Sequence, residues 1–124
     1  MKNDMEILAI NPGSTTTKIA VFCGEAELFS RTITHDAAEL KAMGNIFGQM
    51  EFREELIREV LREENYDTAK LSAVVGRGGM IIGLHGGGYR VTKELCEAMR
   101  NPENPPHASS MGAELAYRIA QPLR

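Results

Sequence analysis

The chain has 124 residues, 43% apolar and 25% charged, with a net charge of −3. That length suffices for one domain with a hydrophobic core of its own. A mildly acidic balance with no block of like charge excludes a general nucleic-acid binder, which would show a basic face.

The amino end, Met1 to Glu6, carries acids and runs straight into an apolar stretch, unlike a signal peptide. No apolar run approaches the ~20 residues that span a bilayer. Cys23 and Cys96 form neither a Cys-x-x-Cys pair nor a Cys/His metal spacing. The expectation is a cytoplasmic protein with reduced thiols, no membrane partner and no nucleic-acid partner.

In chain order, residues 6–10 and 18–23 are predicted strands, rich in Ile, Val and Phe. Residues 26–34 add a third, and the short connections make an antiparallel meander. Asp36 with Glu39 has the form of a capping box, opening a helix to about Gln49 that is loosened by Gly44 and Gly48. A clearer helix follows, with Phe52, Leu56, Ile57, Val60 and Leu61 at helical spacing and its Glu and Arg residues read as a solvated face. Leu71 to Gly76 is a predicted buried strand. After the glycine clusters at 76–79 and 86–88, Tyr89-Arg90-Val91 is a short predicted strand. Thr92 caps a helix to about Arg100, a proline-rich break follows, and a last helix runs from about His107 to Ala120. The order β-β-β-α-α-β-β-α-α fits a mixed five-stranded sheet with flanking helices, an α/β fold of ribonuclease-H-like arrangement.

The turn Asn11-Pro12-Gly13-Ser14-Thr15-Thr16-Thr17-Lys18 joins the first two strands. It lacks the second glycine of a Walker A loop, and it continues into a strand where a Walker A loop continues into a helix. No G-x-G-x-x-G fingerprint exists either. The turn is a tight hairpin whose amides, hydroxyls and Lys18 ammonium suit an anion such as a polyphosphate. Gly13 permits close backbone approach, and the Asn11 carbonyl oxygen is a hard donor of the kind magnesium takes. Asn-Pro-Gly-Ser is equally a good turn without further purpose. Arg77, flanked by Gly76, Gly78 and Gly79, presents a planar guanidinium suited to a carboxylate or phosphate, or to a surface salt bridge. His107 opens the last helix as a cleft residue or as a cap.

The run Ile10 to Ala20 resembles the phosphate-1 motif of the acetokinase family, and within it looks most like butyrate kinase. Ala73-Val74-Val75-Gly76-Arg77-Gly78-Gly79 resembles the family's glycine-arginine-glycine segment. Gly87-Gly88-Tyr89-Arg90-Val91 resembles the segment that follows it, and His107-Ala108-Ser109-Ser110-Met111-Gly112 resembles His-Ala-Ser-Asn-Leu-Gly, with Ser110 in place of asparagine. The likeness covers nearly the whole chain in order.

This resemblance implies an actin-like fold of the sugar-kinase, Hsp70 and actin type, with residues 1–124 as an N-terminal domain of a two-domain kinase. It implies ATP and Mg2+ as cofactors and phosphoryl transfer from ATP to a short-chain carboxylate, giving butyryl phosphate from butyrate. By the same likeness Asn11 lies near the metal and Gly13, Ser14, Thr15, Thr16, Thr17 and Lys18 hold phosphates. Arg77 and His107 are catalytic, with Arg77, Gly78 and Gly79 facing the substrate. The adenosine-binding segment, a catalytic acid and a second arginine of the family have no counterpart in these 124 residues. The chain alone is therefore expected to have little or no kinase activity, and to associate as a homo-oligomer or through the surface where a second domain packs. The alternatives are a non-catalytic phosphate- or nucleotide-binding module, or an inactive product of the same fold that needs a partner.

Overall fold

The computed structural model of the chain describes residues 4–78, 81–104 and 107–123. Its sheet is built from β1 (Glu6–Pro12), β2 (Thr16–Cys23), β3 (Ala26–Thr34) and β4 (Leu71–Gly76), in the order β3-β2-β1-β4. β1 and β2 pair antiparallel, as do β2 and β3, while β4 joins β1 in parallel. The predicted meander is therefore present. Gly24, at φ 59°, supplies the positive angle at the first position of the two-residue turn between β2 and β3.

Period-two alternation decides which face is buried. Leu8 and Ile10 of β1, and Thr17, Ile19 and Val21 of β2, all lie below 3% exposure on one face. Two helices pack there. α2 (Met50–Glu63) contributes Met50, Ile57, Val60 and Leu61; α4 (Gly112–Ala120), with Met111 just before it, contributes Leu115 and Ile119. Each large apolar side chain fully buried in such a core stabilises it by roughly 1.5–3 kcal/mol.

The first predicted helix is broken. α1 spans only Ala37–Lys41, capped by Asp36 Oδ1, which accepts from the Ala38 and Glu39 amides. The chain then reverses at Gly44 (φ 87°), and Asn45 caps a 3-10 turn, Ile46–Gln49, that leads into α2. At the other end of α2, Asn65 (φ 53°) takes the left-handed position. Tyr66 N–H donates to Leu61 C=O and Asn65 N–H to Arg62 C=O, a Schellman closure. Tyr66 is thereby returned to the sheet, where it stacks edge-on against Phe29 and donates to Glu6.

α3 (Lys93–Met99) is capped by Thr92. It is tied to α4 through Arg100, whose guanidinium grips Glu114 at 2.6 and 2.7 Å. Arg118 donates to Glu114 and reaches Glu54 of α2, which also receives Arg58. This charged lattice fixes the two core helices relative to one another.

The expected fifth strand is not formed. Between β4 and α3 the described residues contain no strand, so the sheet has four strands. Tyr89-Arg90-Val91 has strand-like composition, but Gly86 to Gly88 precede it and Tyr89 stays 48% exposed. A strand needs a neighbour to satisfy its backbone, and this segment has not paired with the outer edge of β4.

Candidate functional site

β1 and β4 run in parallel, and both end at the same side of the sheet. In open α/β sheets the crevice beyond such carboxyl ends is where ligands bind. Here it is a cleft of about 560 Å³. Its walls are the β1–β2 hairpin, the end of β4, the start of α2 and the turn before α4. Asn11, Gly13, Ser14, Thr16, Lys18, Arg77 and His107, far apart in sequence, all line it.

The hairpin is closed by one short bond, from Gly13 N–H to Thr16 C=O at 2.7 Å. A side chain at residue 13 would place its Cβ 2.8 Å from Thr16 Oγ1, so glycine is what lets this turn tighten. Ser14 and Thr15 form the tip. Both are exposed, and their amides find no acceptor among the described residues. Exposed donors at a turn tip are free to bind an anion.

β2 begins at Thr16, so strand alternation reaches into the predicted phosphate loop and divides its hydroxyls. Thr16 and Lys18 face the cleft, and Lys18 sits opposite Asn11 in the β1–β2 register. Thr17 turns into the core. It is 0% exposed, and its hydroxyl lies 2.8 Å from His35 Nε2 and 3.0 Å from Arg53 Nη1. Thr15 contributes its carbonyl to His35 N–H and does not line the cleft.

Arg77 extends the parallel ladder by one bond, donating N–H to Ile10 C=O at 2.9 Å. Its side chain is exposed and has no partner among the described residues. Its position depends on two glycines. A Cβ on Gly76 would collide with the Gly112 carbonyl, and a Cβ on Gly112 with the Arg77 carbonyl. The end of β4 and the start of α4 thus touch backbone to backbone. Gly78 follows in open space, on the wall of a neighbouring groove, and Gly79 lies outside the described residues.

His107 is both cap and cleft residue. Its Nδ1 accepts from Ser109 N–H and lies 2.8 Å from Ser109 Oγ. The ring is held by Nδ1, which leaves Nε2 for a ligand. Next to it Ser110 is buried, and its hydroxyl has no partner among the described residues.

Two lining residues escape a reading of sequence alone, Gln49 and Arg53. Arg53 is 0% exposed. Its Nε and Nη2 donate to Gln49 Oε1 at 3.1 and 2.9 Å. Nη1 donates to Thr16 C=O and Thr17 Oγ1, and Nη2 to Ser14 C=O at 3.3 Å. Burial pulls the Arg53 guanidinium below its ordinary range, but a guanidinium stays protonated in proteins. Burial first, and the Arg53 charge second, lower the His35 imidazole below its ordinary value. The signal for Arg53 was its place on the helix: it falls on the inward stripe with Met50, Ile57 and Val60.

Among the described residues the cleft is lined by three cations, Lys18, Arg53 and Arg77, and by no carboxylate. A chain of net charge −3 has thus collected positive charge at one point. For a metal the donor set is thin. Asn11 offers one carboxamide oxygen and the nearby hydroxyls are neutral; no cluster of His, Cys, Asp and Glu able to hold a metal exists among the described residues. The set fits a magnesium ion whose other ligands are phosphate oxygens and water, and does not fit a resident metal.

Fold and cleft together define an α/β domain with an electropositive pocket at the carboxyl ends of two parallel strands. No family model matches the chain. It is 42% identical over 118 residues, 95% of its length, to probable butyrate kinases of Clostridium botulinum and Listeria monocytogenes. It is 42% identical over 116 residues to butyrate kinase 2 of Clostridium acetobutylicum. In each case the match covers 33% of the relative, so the chain spans about a third of the length of the curated relatives it matches. The likeness to butyrate kinases read from the motifs thus extends over nearly all of this chain. No helix among the described residues is long and apolar enough to cross a membrane.

Proposed function

We propose that the chain provides the phosphate-binding part of an ATP-dependent short-chain carboxylate kinase of the butyrate kinase type, in a domain of the ribonuclease-H-like, actin-like class. The observation that carries this reading is the gathering of Lys18, Arg53 and Arg77 in one cleft that holds no carboxylate among the described residues. In the cleft the free Ser14 amide and the Ser14 and Thr16 hydroxyls take the β- and γ-phosphate oxygens, and the free Thr15 amide at the hairpin tip is a further donor to a polyphosphate that reaches the tip. Asn11 supplies one oxygen to the hydrated magnesium ion that accompanies ATP. Magnesium, when bound, neutralises charge on the phosphates.

Arg77 is placed to orient a carboxylate and the transferring phosphoryl group with its fork. It stabilises the equatorial oxygens as charge spreads over them. His107 Nε2 borders the same space. Among the described residues the cleft holds no carboxylate and so no strong metal ligand, and the chain spans about a third of the length of its relatives. The chain by itself is therefore expected to bind and not to turn over. That is also what a binding module or a partner-dependent half would do.

Calorimetric titration with ATP–Mg2+ tests the reading. Saturable binding is expected, weakened about tenfold or more by Arg77→Met, which deletes a charge-assisted contact of roughly 1.5–3 kcal/mol. Asn11→Ala should weaken binding only when magnesium is present. Absence of binding by the unaltered chain, or binding indifferent to both substitutions, overturns it.

A further inference from the structure

Among the described residues Arg53 is the one Lys or Arg wholly removed from solvent. Its hydrogen-bond acceptors are all neutral: the Gln49 carboxamide, the Thr17 hydroxyl, and the carbonyls of Ser14 and Thr16. Arg31, Arg58, Arg100 and Arg118, by contrast, each pair with glutamates. No carboxylate among the described residues pairs with Arg53. A buried charge without a counter-charge is costly, and the neutral partners of Arg53 satisfy its donors without balancing that charge.

We infer that Arg53 is both the positioning residue of the hairpin and the resident positive charge of its anion site, balanced when a polyphosphate occupies the tip. This rests on the phosphate-binding reading and adds a residue to it. The mechanism is geometric and Coulombic. In a trans peptide the C=O and the following N–H point in opposite directions. By holding the Ser14 carbonyl, Arg53 turns the Thr15 N–H away from itself, where no internal acceptor claims it. The guanidinium also borders the cleft, in surroundings that screen its charge less than water would.

Gln49→Glu separates these roles from simple packing. The substitution is nearly isosteric, and a carboxylate accepts the same two bonds from Nε and Nη2, but it cancels the charge. The probe is inorganic tripolyphosphate, titrated calorimetrically into the 124-residue chain at low and at physiological salt. Expected are a melting temperature at or above that of the unaltered chain, an affinity lower by about tenfold, and a shallower salt dependence. Arg53→Lys, which keeps the charge and loses the fork, should shift the Thr15 amide resonance and lose less affinity than Gln49→Glu.

A measurement without any variant guards against misfolding. The Arg53 Nε–H resonance should exchange slowly and shift when tripolyphosphate is added; an unmoved resonance overturns the inference. If the unaltered chain binds and Gln49→Glu binds as tightly, this inference alone fails. If the unaltered chain does not bind, the phosphate-binding reading fails with it.

Discussion

Gly112→Ala sets two effects of opposite sign against each other. Gly112 has ordinary helical angles (φ −58°, ψ −46°), so propensity alone favours alanine, by up to about 1 kcal/mol. Against this, the new Cβ would fall on the Arg77 carbonyl, with the Arg77 carbon at 2.8 Å and nitrogen at 3.1 Å. These are backbone atoms of the ladder that joins β4 to β1, and no side chain can swing aside. Overpacking costs ~1–3 kcal/mol where neighbours can give, so a clash with fixed backbone belongs at or above the top of that range. We expect a net loss of about 3 kcal/mol, a large part of a typical domain's ~5–15 kcal/mol, and a melting temperature lower by roughly 10 °C. Relief requires α4 to move off β4, which displaces Arg77, so anion affinity falls as well. Urea unfolding followed by circular dichroism is the assay, with Gly78→Ala as control. A Cβ at residue 78 meets nothing within 4 Å, so that variant should stay within ~0.5 kcal/mol. A Gly112→Ala chain as stable as its parent would refute the backbone contact and the placement of Arg77 that depends on it.

Glu114 is a second point of leverage. Burial raises its carboxyl, but the Arg100 and Arg118 guanidinia outweigh that, and the net shift is downward from 4.5. A depressed carboxylate stabilises the fold above its unfolded pKa and loses that contribution as pH falls through the folded one. Stability should therefore fall below about pH 4.5. Glu114→Gln should cost roughly 1–3 kcal/mol at neutral pH, discounted because both arginines are partly exposed, and should flatten the acid limb of a pH-dependent urea series. His35 acts at higher pH. Its imidazole is held below 6.5 by burial and by Arg53, so the unfolded chain binds a proton that the folded chain refuses. Stability should decline as pH drops through 6.5, at no more than about 1.4 kcal/mol per pH unit. Facing the ring are Thr17, Arg53 and Phe52. In thermal melts from pH 7.5 to 5, His35→Gln should show a shallower slope; an unchanged slope would remove His35 from the account.

Much of this was legible in the residues because a pleated strand exposes its pattern directly. The Ile, Val and Phe content of residues 6–10 and 18–23 marked the strands, and the structure then assigned Leu8, Ile10, Ile19 and Val21 to the buried face. The hydroxyl-rich hairpin and Arg77 announced themselves by composition, and the fold brought them with His107 to one cleft. What was missed has physical causes. The five-stranded expectation counted Tyr89-Arg90-Val91 by its residue types, but composition cannot show whether a partner is in reach. The hairpin was read as a loop through Lys18. Because β2 starts at Thr16, period two already governs, and it sends Thr17 inward. Arg53 was read as part of a wet helical face, since arginine is seldom buried. Its position on the apolar stripe was the clue, and only the carbonyls of the hairpin above it explain why a charge sits there.

The central claim is that the tip of the β1–β2 hairpin holds the phosphates of a nucleotide. Amide spectra of the isotopically labelled chain, recorded as ATP–Mg2+ is added, test it most directly. The expected result is that Gly13, Ser14, Thr15 and Thr16 shift together with Arg77 and His107, while residues of β3 stay in place. Shifts confined to other surfaces, with the hairpin unmoved at saturation, would contradict it.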